Sequence, residues 1–413
     1  MCSSTGVHRW ALACGVMRRN ALRVAGAAGV LLLSLGLAAP TSAHQRAVRV
    51  PTLTGFASLP ALTFVPGSEP SGAALGTAPV NGVAAPWDDQ PIQGFSGVLA
   101  NRDGTYDVLS DNGYGTKANS ADFLLRVQHL GPVVRTGQVD VLGGINLTDP
   151  FSKVPFPLVR ADRVLTGQDF DVESIVRAKD GSLWIGDEFG PWLLHFDRGG
   201  RLLAAPVSLP GVRAPENPAG SPNLGSSKGF EGMASSPDGR YLYPLLEGTV
   251  TGDTPGDLRM NEFDTHTGSY TGKRWIYRLE NPVNSIGDAI PVDASRFLII
   301  ERDQNQGAAS ALKRIYLADR RDRDHDGVMD KTLVIDLLNI ANPRRLGGFG
   351  TTFRFPFVTI EDVALLDGQT LAVLNDNNFP GSAGRTPGVP DNNEFITVRL
   401  PESLHPDPRV VRD

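Results

Sequence analysis

Residues 173–188 read Glu-Ser-Ile-Val-Arg-Ala-Lys-Asp-Gly-Ser-Leu-Trp-Ile-Gly-Asp-Glu. Alternating runs, among them Ser182-Leu183-Trp184-Ile185, flank the tight-turn dipeptide Asp180-Gly181, which is the signature of a β-hairpin. An acid opens the stretch at Glu173 and two acids, Asp187 and Glu188, close it. A hairpin returns both of its ends to one side, so these acids are expected side by side, away from the turn.

The same layout recurs four times. It runs from Phe95-Ser96-Gly97 through Asp103-Gly104 to Asp111-Asn112, and from Glu231-Gly232 through Asp238-Gly239 to Glu247. It returns from Gly287-Asp288 through Asp293-Ala294 to Glu301-Arg302, and from Glu361-Asp362 through Asp367-Gly368 to Asp376-Asn377. The units begin at 96, 173, 231, 287 and 361, a mean step of about 66 residues. That step is too long for the shortest blade repeats and suits four-stranded blades with long loops. The fold expected is therefore all-β, a β-propeller of six blades. The sixth would come from the N-terminal region or from residues 116–170, with first and last strands pairing to close the ring. The 46 Gly and 31 Pro leave room for one short helix, near Leu333–Ile340. A pair of β-sandwiches is the rival, but it gives no reason for acids to recur at one phase of each unit.

The first 43 residues read as a signal peptide, and residues 44–413 as one propeller domain. Arg18, Arg19 and Arg23 are basic, Val24 to Ala39 is apolar, and Thr41-Ser42-Ala43 offers small residues for cleavage. Met17 is an alternative start. The export route, general secretion or twin-arginine, is left open by the Arg18-Arg19 pair. The apolar run is also nearly long enough to anchor in a bilayer, but its Gly and Ala content and small-residue exit favour cleavage. A secreted or periplasmic protein with no membrane span after cleavage is expected. Both cysteines, Cys2 and Cys14, fall in the removed part, so no disulfide and no thiol nucleophile are expected beyond it. The remaining chain carries ten more acids than bases, which disfavours nucleic acid and favours cations. A monomer acting on a small molecule is the expected state.

The phased acids are the main functional signal. Glu173, Glu231, Glu361, Asp187 and Glu188 are the candidate catalytic carboxylates. Glu247, Asp288, Glu301, Asp362 and Asp376 are candidate metal ligands. So many carboxylates in one mouth repel one another unless a hard cation neutralises them, and Ca²⁺, with six to eight oxygen ligands, suits such a site. Taken singly, each acid reads as well as a strand cap. Asp322-Arg323-Asp324-His325-Asp326-Gly327-Val328-Met329-Asp330 is a second calcium candidate. Its acids Asp322, Asp324, Asp326 and Asp330 follow the spacing of an EF-hand-type loop, with Leu333 where the closing Glu would stand. Gly94-Phe95-Ser96-Gly97 has the wrong spacing for a nucleophile elbow, and His195 and His266 read as packing or surface residues, so water activated by a metal is the expected nucleophile. Lys228 and Arg302 lie at the acidic ends of their units and, with Asn112 and Asn377, are the candidate substrate-binding residues.

At these same residues the sequence resembles the phytase-like domain family, described as having "esterase-like activity of phytase". The matching stretches are Gly94-Phe95-Ser96-Gly97, Ser110-Asp111-Asn112-Gly113, Phe170-Asp171-Val172-Glu173-Ser174-Ile175, and Trp184-Ile185-Gly186-Asp187-Glu188-Phe189-Gly190-Pro191. Gly229-Phe230-Glu231-Gly232-Met233 and Ile360-Glu361-Asp362 complete the set. The resemblance runs roughly from Pro51 to Leu400. It implies a secreted propeller related to the calcium-dependent phytases, hydrolysing phosphoesters or other esters. Ser96-Gly97 and Gly287-Asp288 depart from the acid-first pattern, so the ring of carboxylates is expected to be interrupted. A lactonase-like hydrolase and a non-catalytic binding propeller with structural calcium are the other readings.

Overall fold

Each hairpin read from the sequence is an antiparallel strand pair in the computed structural model, which describes residues 50–411. The expected signal segment lies outside the described residues. The chain enters through β1 (Thr52–Leu59) and builds a first unit from β2 (Phe95–Ala100), β3 (Tyr106–Ser110), β4 (Arg126–Val133) and β5 (Gln138–Asn146). The second contains β6 (Val172–Arg177), β7 (Leu183–Asp187), β8 (Trp192–Phe196) and β9 (Val207–Ser208). The third contains β10 (Phe230–Ser235), β11 (Tyr241–Leu246), β12 (Asp257–Asp264) and β13 (Ser269–Arg278). The fourth contains β14 (Ser285–Pro291), β15 (Arg296–Arg302), β16 (Lys313–Asp319) and β17 (Asp330–Asp336). Two short strands, β18 (Ile340–Ala341) and β19 (Thr352–Phe353), lead to the last unit of β20 (Asp362–Leu365), β21 (Thr370–Leu374) and β22 (Asn393–Arg399). There β1 returns as the outer strand, antiparallel to β22, so the two ends of the sheet-forming chain close the ring.

The innermost strands pack in a cycle, β2 on β6, β6 on β10, β10 on β14, β14 on β20 and β20 on β2. The result is a propeller-like ring of five four-stranded units, not the six that the mean step led to expect. Residues 116–170 supply β4 and β5 of the first unit, and the N-terminal strand fills the fifth, so neither segment is left over for a sixth. The step was long because of loops, not because of missing strands. Among the described residues, helix is confined to three 3₁₀ turns, Ala73–Leu75, Gly307–Ala309 and Leu346–Gly348. The helix expected near Leu333–Ile340 is instead the end of β17 and a turn, because β17 pairs with β16 along its length and Thr332 and Val334 suit a strand. No described helix is long and apolar enough to cross a membrane.

Apolar burial lies in the joints between units. Val127 and Ile185 share the core between the first and second, Leu193 and Met233 that between the second and third, and the rings of Tyr243 and Phe297 meet between the third and fourth. Leu298 and Val363 meet between the fourth and fifth, and Val108 and Leu374 close the circle. Second strands such as β7, β11 and β15 therefore bury both faces and read as nearly continuous apolar runs, whereas the outer β5 and β13 are largely exposed.

A register break recurs where the inner strands begin. Pairing skips between Val172 and Ser174, between Phe230 and Gly232, between Ile286 and Asp288, and between Phe95 and Val98. The skipped residues are Glu173, Glu231, Gly287 and the Ser96-Gly97 pair. A bulge of this kind re-aims one side chain and turns its successor to the other face. The successors accordingly join neighbouring units. Asp362 Oδ1 accepts from the Gly97 amide at 2.8 Å, Asp288 Oδ2 accepts from the Val363 amide at 3.0 Å, and Ser174 Oγ donates to the Phe230 carbonyl at 3.2 Å. Gly287 must lack a side chain, since a Cβ there would lie 2.0 Å from the Ile360 carbonyl oxygen.

Burial raises the Asp288 carboxyl to about 7, against the pull of the Val363 and Ala289 amides. A carboxyl raised in the folded state favours folding most at low pH, and that contribution is lost as pH climbs from about 4 to about 7. D288N cannot ionise, but it leaves one amide without an acceptor at a cost of about 1–3 kcal/mol. In urea unfolding, the variant's deficit relative to the wild type should therefore shrink over that interval by up to roughly 1.4 kcal/mol per pH unit. A deficit independent of pH would contradict this joint.

Candidate functional site

Register carries the acids to one end of the ring. Phe95 pairs with Ser110, Val172 with Asp187, Phe230 with Leu246, Ser285 with Arg302 and Asp362 with Leu374, so every inner strand starts beside the finish of its second strand. The re-aimed residues Glu173 and Glu231, with Glu361 just before β20, form a cup with Glu188, Glu247 and Asp376 from the second-strand ends. Two further carboxylates that the acid-first pattern passed over, Asp171 and Asp111, belong to the cup. Asp171 stands two residues before Glu173, and alternation along an extended chain gives both the same face. The pattern Asp171-Val172-Glu173 was the signal that could have found it.

Eight carboxylates, Asp111, Asp171, Glu173, Glu188, Glu231, Glu247, Glu361 and Asp376, thus crowd one space, and all but the partly exposed Asp111 are buried. Two cations enter among them. Arg302 Nη2 donates to Glu361 Oε1 at 2.8 Å and reaches Glu231 and Glu247 at 3.4 Å each. Lys228, half-exposed at the rim, pairs with Glu247. Ser96 Oγ holds the other oxygen of Glu361 at 2.9 Å. Asp171 accepts from Ser227 Oγ.

Two positive charges among eight acids leave an excess that the protein's own groups do not cancel. The carboxyls respond by holding protons. Burial, then repulsion from Asp171 and Glu231, pushes Glu173 well above the usual carboxylate range, and burial and Glu247 do the same to Glu188. Burial and Glu247 likewise raise Glu231. Burial outweighs the Arg302 guanidinium and lifts Glu361 to about 8, while Asp376 reaches about 6. Burial works against the Lys228 ammonium, but Glu247 and Glu188 outweigh it and hold Lys228 above its ordinary value.

Within the cup two trios bring one oxygen each to within 4.8 Å, Asp171 with Glu173 and Glu188, and Glu188 with Glu231 and Glu247. The second trio already faces Arg302 and Lys228. In the first, Asp171 Oδ1 and Glu188 Oε1 are buried without a hydrogen-bond partner. A buried oxygen without a donor is costly, and ordered groups of this kind call for an explanation such as an ion. The donor set is all hard oxygen, which fits Ca²⁺.

Several candidates lie elsewhere. Asp187 is turned into the backbone, taking the Asp171 amide at 2.9 Å and the Gly190 amide at 2.6 Å, so it fixes the segment that carries Asp171. Asp288 and Asp362, assigned as ligands from sequence, are the joints described above: Asp288 follows the bulge at Gly287, and Asp362 follows Glu361, from which simple alternation turns it to the other face. Glu301 is wholly buried and accepts from Tyr277 Oη at 3.0 Å, the Glu280 amide at 2.7 Å, Asn284 Nδ2 at 2.9 Å and Lys331 Nζ at 3.0 Å, which satisfies it away from the cup. Asn112, by contrast, stays beside the cup: its Oδ1 accepts from the Gly115 amide at 2.7 Å, and its side-chain and backbone N–H groups lie against the Asp171 carboxylate and favour its ionised form. Asn377 Nδ2 donates to the Asp391 carbonyl at 2.9 Å, and its Oδ1 is buried without a partner. Asp322, Asp324 and Asp330 bring one oxygen each to within 4.8 Å in the loop between β16 and β17. Asp326 instead accepts from the Val328 amide at 2.9 Å. Arg302 pairs with Lys313 at the cup end and Arg296 with Asp319 at the other, so this loop is at the end of its unit opposite the cup.

A propeller-like β ring with a carboxylate-lined central mouth is the class that fold and site define. The family profile described as "Phytase-like: Esterase-like activity of phytase" matches residues 90–379, and the chain belongs to this phytase-like family. A protein of Arthroderma benhamiae, described as an uncharacterized secreted protein, is 26% identical over an alignment covering 67% of this chain and 70% of that one. Among solved structures, a calcium-binding regucalcin of Agrobacterium tumefaciens aligns with 13% identity over 81% of this chain and 97% of its own, at a TM-score of 0.39. A putative 6-phosphogluconolactonase of Bacteroides uniformis aligns with 13% identity over 76% and 92%, at 0.35.

Among the described residues Arg302 is the one buried cation touching three cup acids, so R302M should strip Glu231, Glu247 and Glu361 of their shared partner. Chemical unfolding without added metal should show a loss of about 3–5 kcal/mol. A loss under about 1 kcal/mol would mean that Arg302 does not hold the cup together.

Proposed function

We propose that the protein is a secreted, calcium-dependent hydrolase of small ester or phosphoester substrates, working at the cup. The observation that carries this reading is the pair of orphaned, buried oxygens on Asp171 and Glu188 beside Glu173, in a space where acids outnumber cations. Asp171, Glu173 and Glu188 would hold the ion. When bound, calcium neutralises the acids, polarises a carbonyl or phosphoryl oxygen and acidifies water.

The chain's own groups divide the remaining work. Glu231 is bound only by the long 3.4 Å contact to Arg302, which leaves it free to take a proton from the attacking water. Glu361, fixed by Arg302 and Ser96, orients Arg302. The Nε of Arg302 is buried without a partner and is the donor available to a substrate oxygen as negative charge grows on it. Lys228 at the rim meets an anionic or polar part of the substrate. Export through the first 43 residues accords with the cup's need for calcium, which is plentiful outside cells.

Purified mature protein should release product from a panel of phosphomonoesters, phosphodiesters and carboxylic esters with calcium, and lose that activity with chelator. E231Q should lower kcat by about 10²–10⁴-fold while calcium binding persists. E188Q should weaken calcium binding, read directly by calorimetry. Calcium binding without turnover of any substrate would sink the hydrolase and leave a binding protein with structural calcium.

A further inference from the structure

Residues 60–92 form a long loop that packs against the segments following β3 and β21. Beneath it lies a cavity of about 380 Å³ lined by Leu75, Val80, Val83, Tyr114, Val358 and Phe379. No charged side chain lines it among the described residues. The volume falls in the range of ligand pockets and holds roughly a dozen groups at about 30 Å³ each.

The cavity is built, not left over from loose packing. Val80 and Val83 bridge across an Asn81-Gly82 turn whose residues have φ of 47° and 79°, the left-handed geometry that this dipeptide adopts readily. Asn81 Nδ2 donates to the carbonyls of Pro380 at 2.8 Å and Gly381 at 2.9 Å, tying the turn to the opposite wall. Trp87 supports the floor, with its ring 5.1 Å from Phe379 and 6.1 Å from Tyr114.

Two lining residues also touch the cup. The Gly113 amide donates to Asp111 Oδ1 at 2.7 Å, and the Asn378 amide donates to Asp376 Oδ1 at 2.7 Å. Each loop thus presents a carboxylate to the cup and, two and three residues on, lines the cavity with Gly113 and Tyr114 or with Asn378 and Phe379. Acidic cup and apolar cavity thus lie on either side of the same two loops. The cup has only two cations among the described residues, Arg302 and Lys228, each shared with carboxylates, which suits a substrate of low charge better than one bearing several phosphates.

We propose that the cavity is the subsite for the apolar chain of a carboxylic ester whose reacting bond lies at the cup, an assignment that rests on the hydrolase reading above. One water is consumed per turnover. Its oxygen bonds to the acyl carbon, the bond from that carbon to the alkoxy oxygen breaks, and the departing alkoxide takes up a proton.

The test uses p-nitrophenyl acetate, butyrate and octanoate with the calcium-loaded protein, and calorimetric titration of 1-octanol as a readout that needs no turnover. Full burial adds about fourfold in kcat/KM per methylene, so octanoate should exceed acetate by well over tenfold. A78W, which fills the cavity from an exposed loop position, and V83D, which makes its wall polar, should remove that preference and the binding of octanol, with thermal melts reporting that both variants fold. Turnover of all three esters at equal kcat/KM, unaltered by A78W, overturns the subsite and leaves the hydrolase standing. Octanol binding lost in A78W, with neither these esters nor the phosphoester panel turned over by the wild type, upholds the cavity as a binding site and overturns the hydrolase. Absence of octanol binding by the wild type overturns the subsite.

Discussion

An excess of buried negative charge at the mouth of the ring is the constraint on which the rest depends. Seven of the eight cup carboxylates are removed from water, and Arg302 and Lys228 offset only part of their charge. Ionised acids so placed would repel one another by several kcal/mol per pair at the dielectric of a protein interior. The cup must hold protons, accept a cation, or come apart. Everything around it resists the last outcome, since Ser96, Ser227 and Arg302 are each aimed at a specific carboxylate, and the backbone near Asp171 is pinned by Asp187.

The fold can bear this strain because its stability is gathered elsewhere. Five apolar joints hold the units together at a distance from the mouth, and β1 pairing with β22 closes the ring without an open edge at that seam. The bulges at the starts of the inner strands connect the two regions. Each turns one residue to the cup and the next into a joint, so a single backbone feature serves both charge and cohesion. Gly287 shows the limit of this device: where the neighbouring strand comes too close for a Cβ, the cup loses a carboxylate, and Arg302 at the end of the same hairpin stands in the gap.

Much of this was legible in the sequence. The Asp-Gly turns and the acids at both ends of each hairpin follow from period-two alternation, so the all-β fold, the closing of the ring by first and last strands and the membership of Glu173, Glu188, Glu231, Glu247, Glu361 and Asp376 in one mouth could be read directly. The number of units could not, because dividing length by step counts the loops at 60–92 and 147–171 as if they were strands. Asp288, Asp362 and Glu301 were misassigned for local reasons. Asp288 follows a bulge that no residue type announces, Asp362 alternates away from Glu361, and Glu301 is taken up by Tyr277, Asn284 and Lys331 from neighbouring segments. Asp171 was missed because it lies before its strand begins, and Asp111 because the amide beside it drew the assignment.

The most direct measurement is X-ray diffraction from crystals of the mature protein grown with calcium, recorded at a wavelength where calcium scatters anomalously. The account predicts an anomalous peak among the carboxylates of Asp171, Glu173 and Glu188, absent from crystals of E188Q grown in the same way. A cup with no peak, or an ion found solely in the loop of Asp322, Asp324 and Asp330, would contradict it.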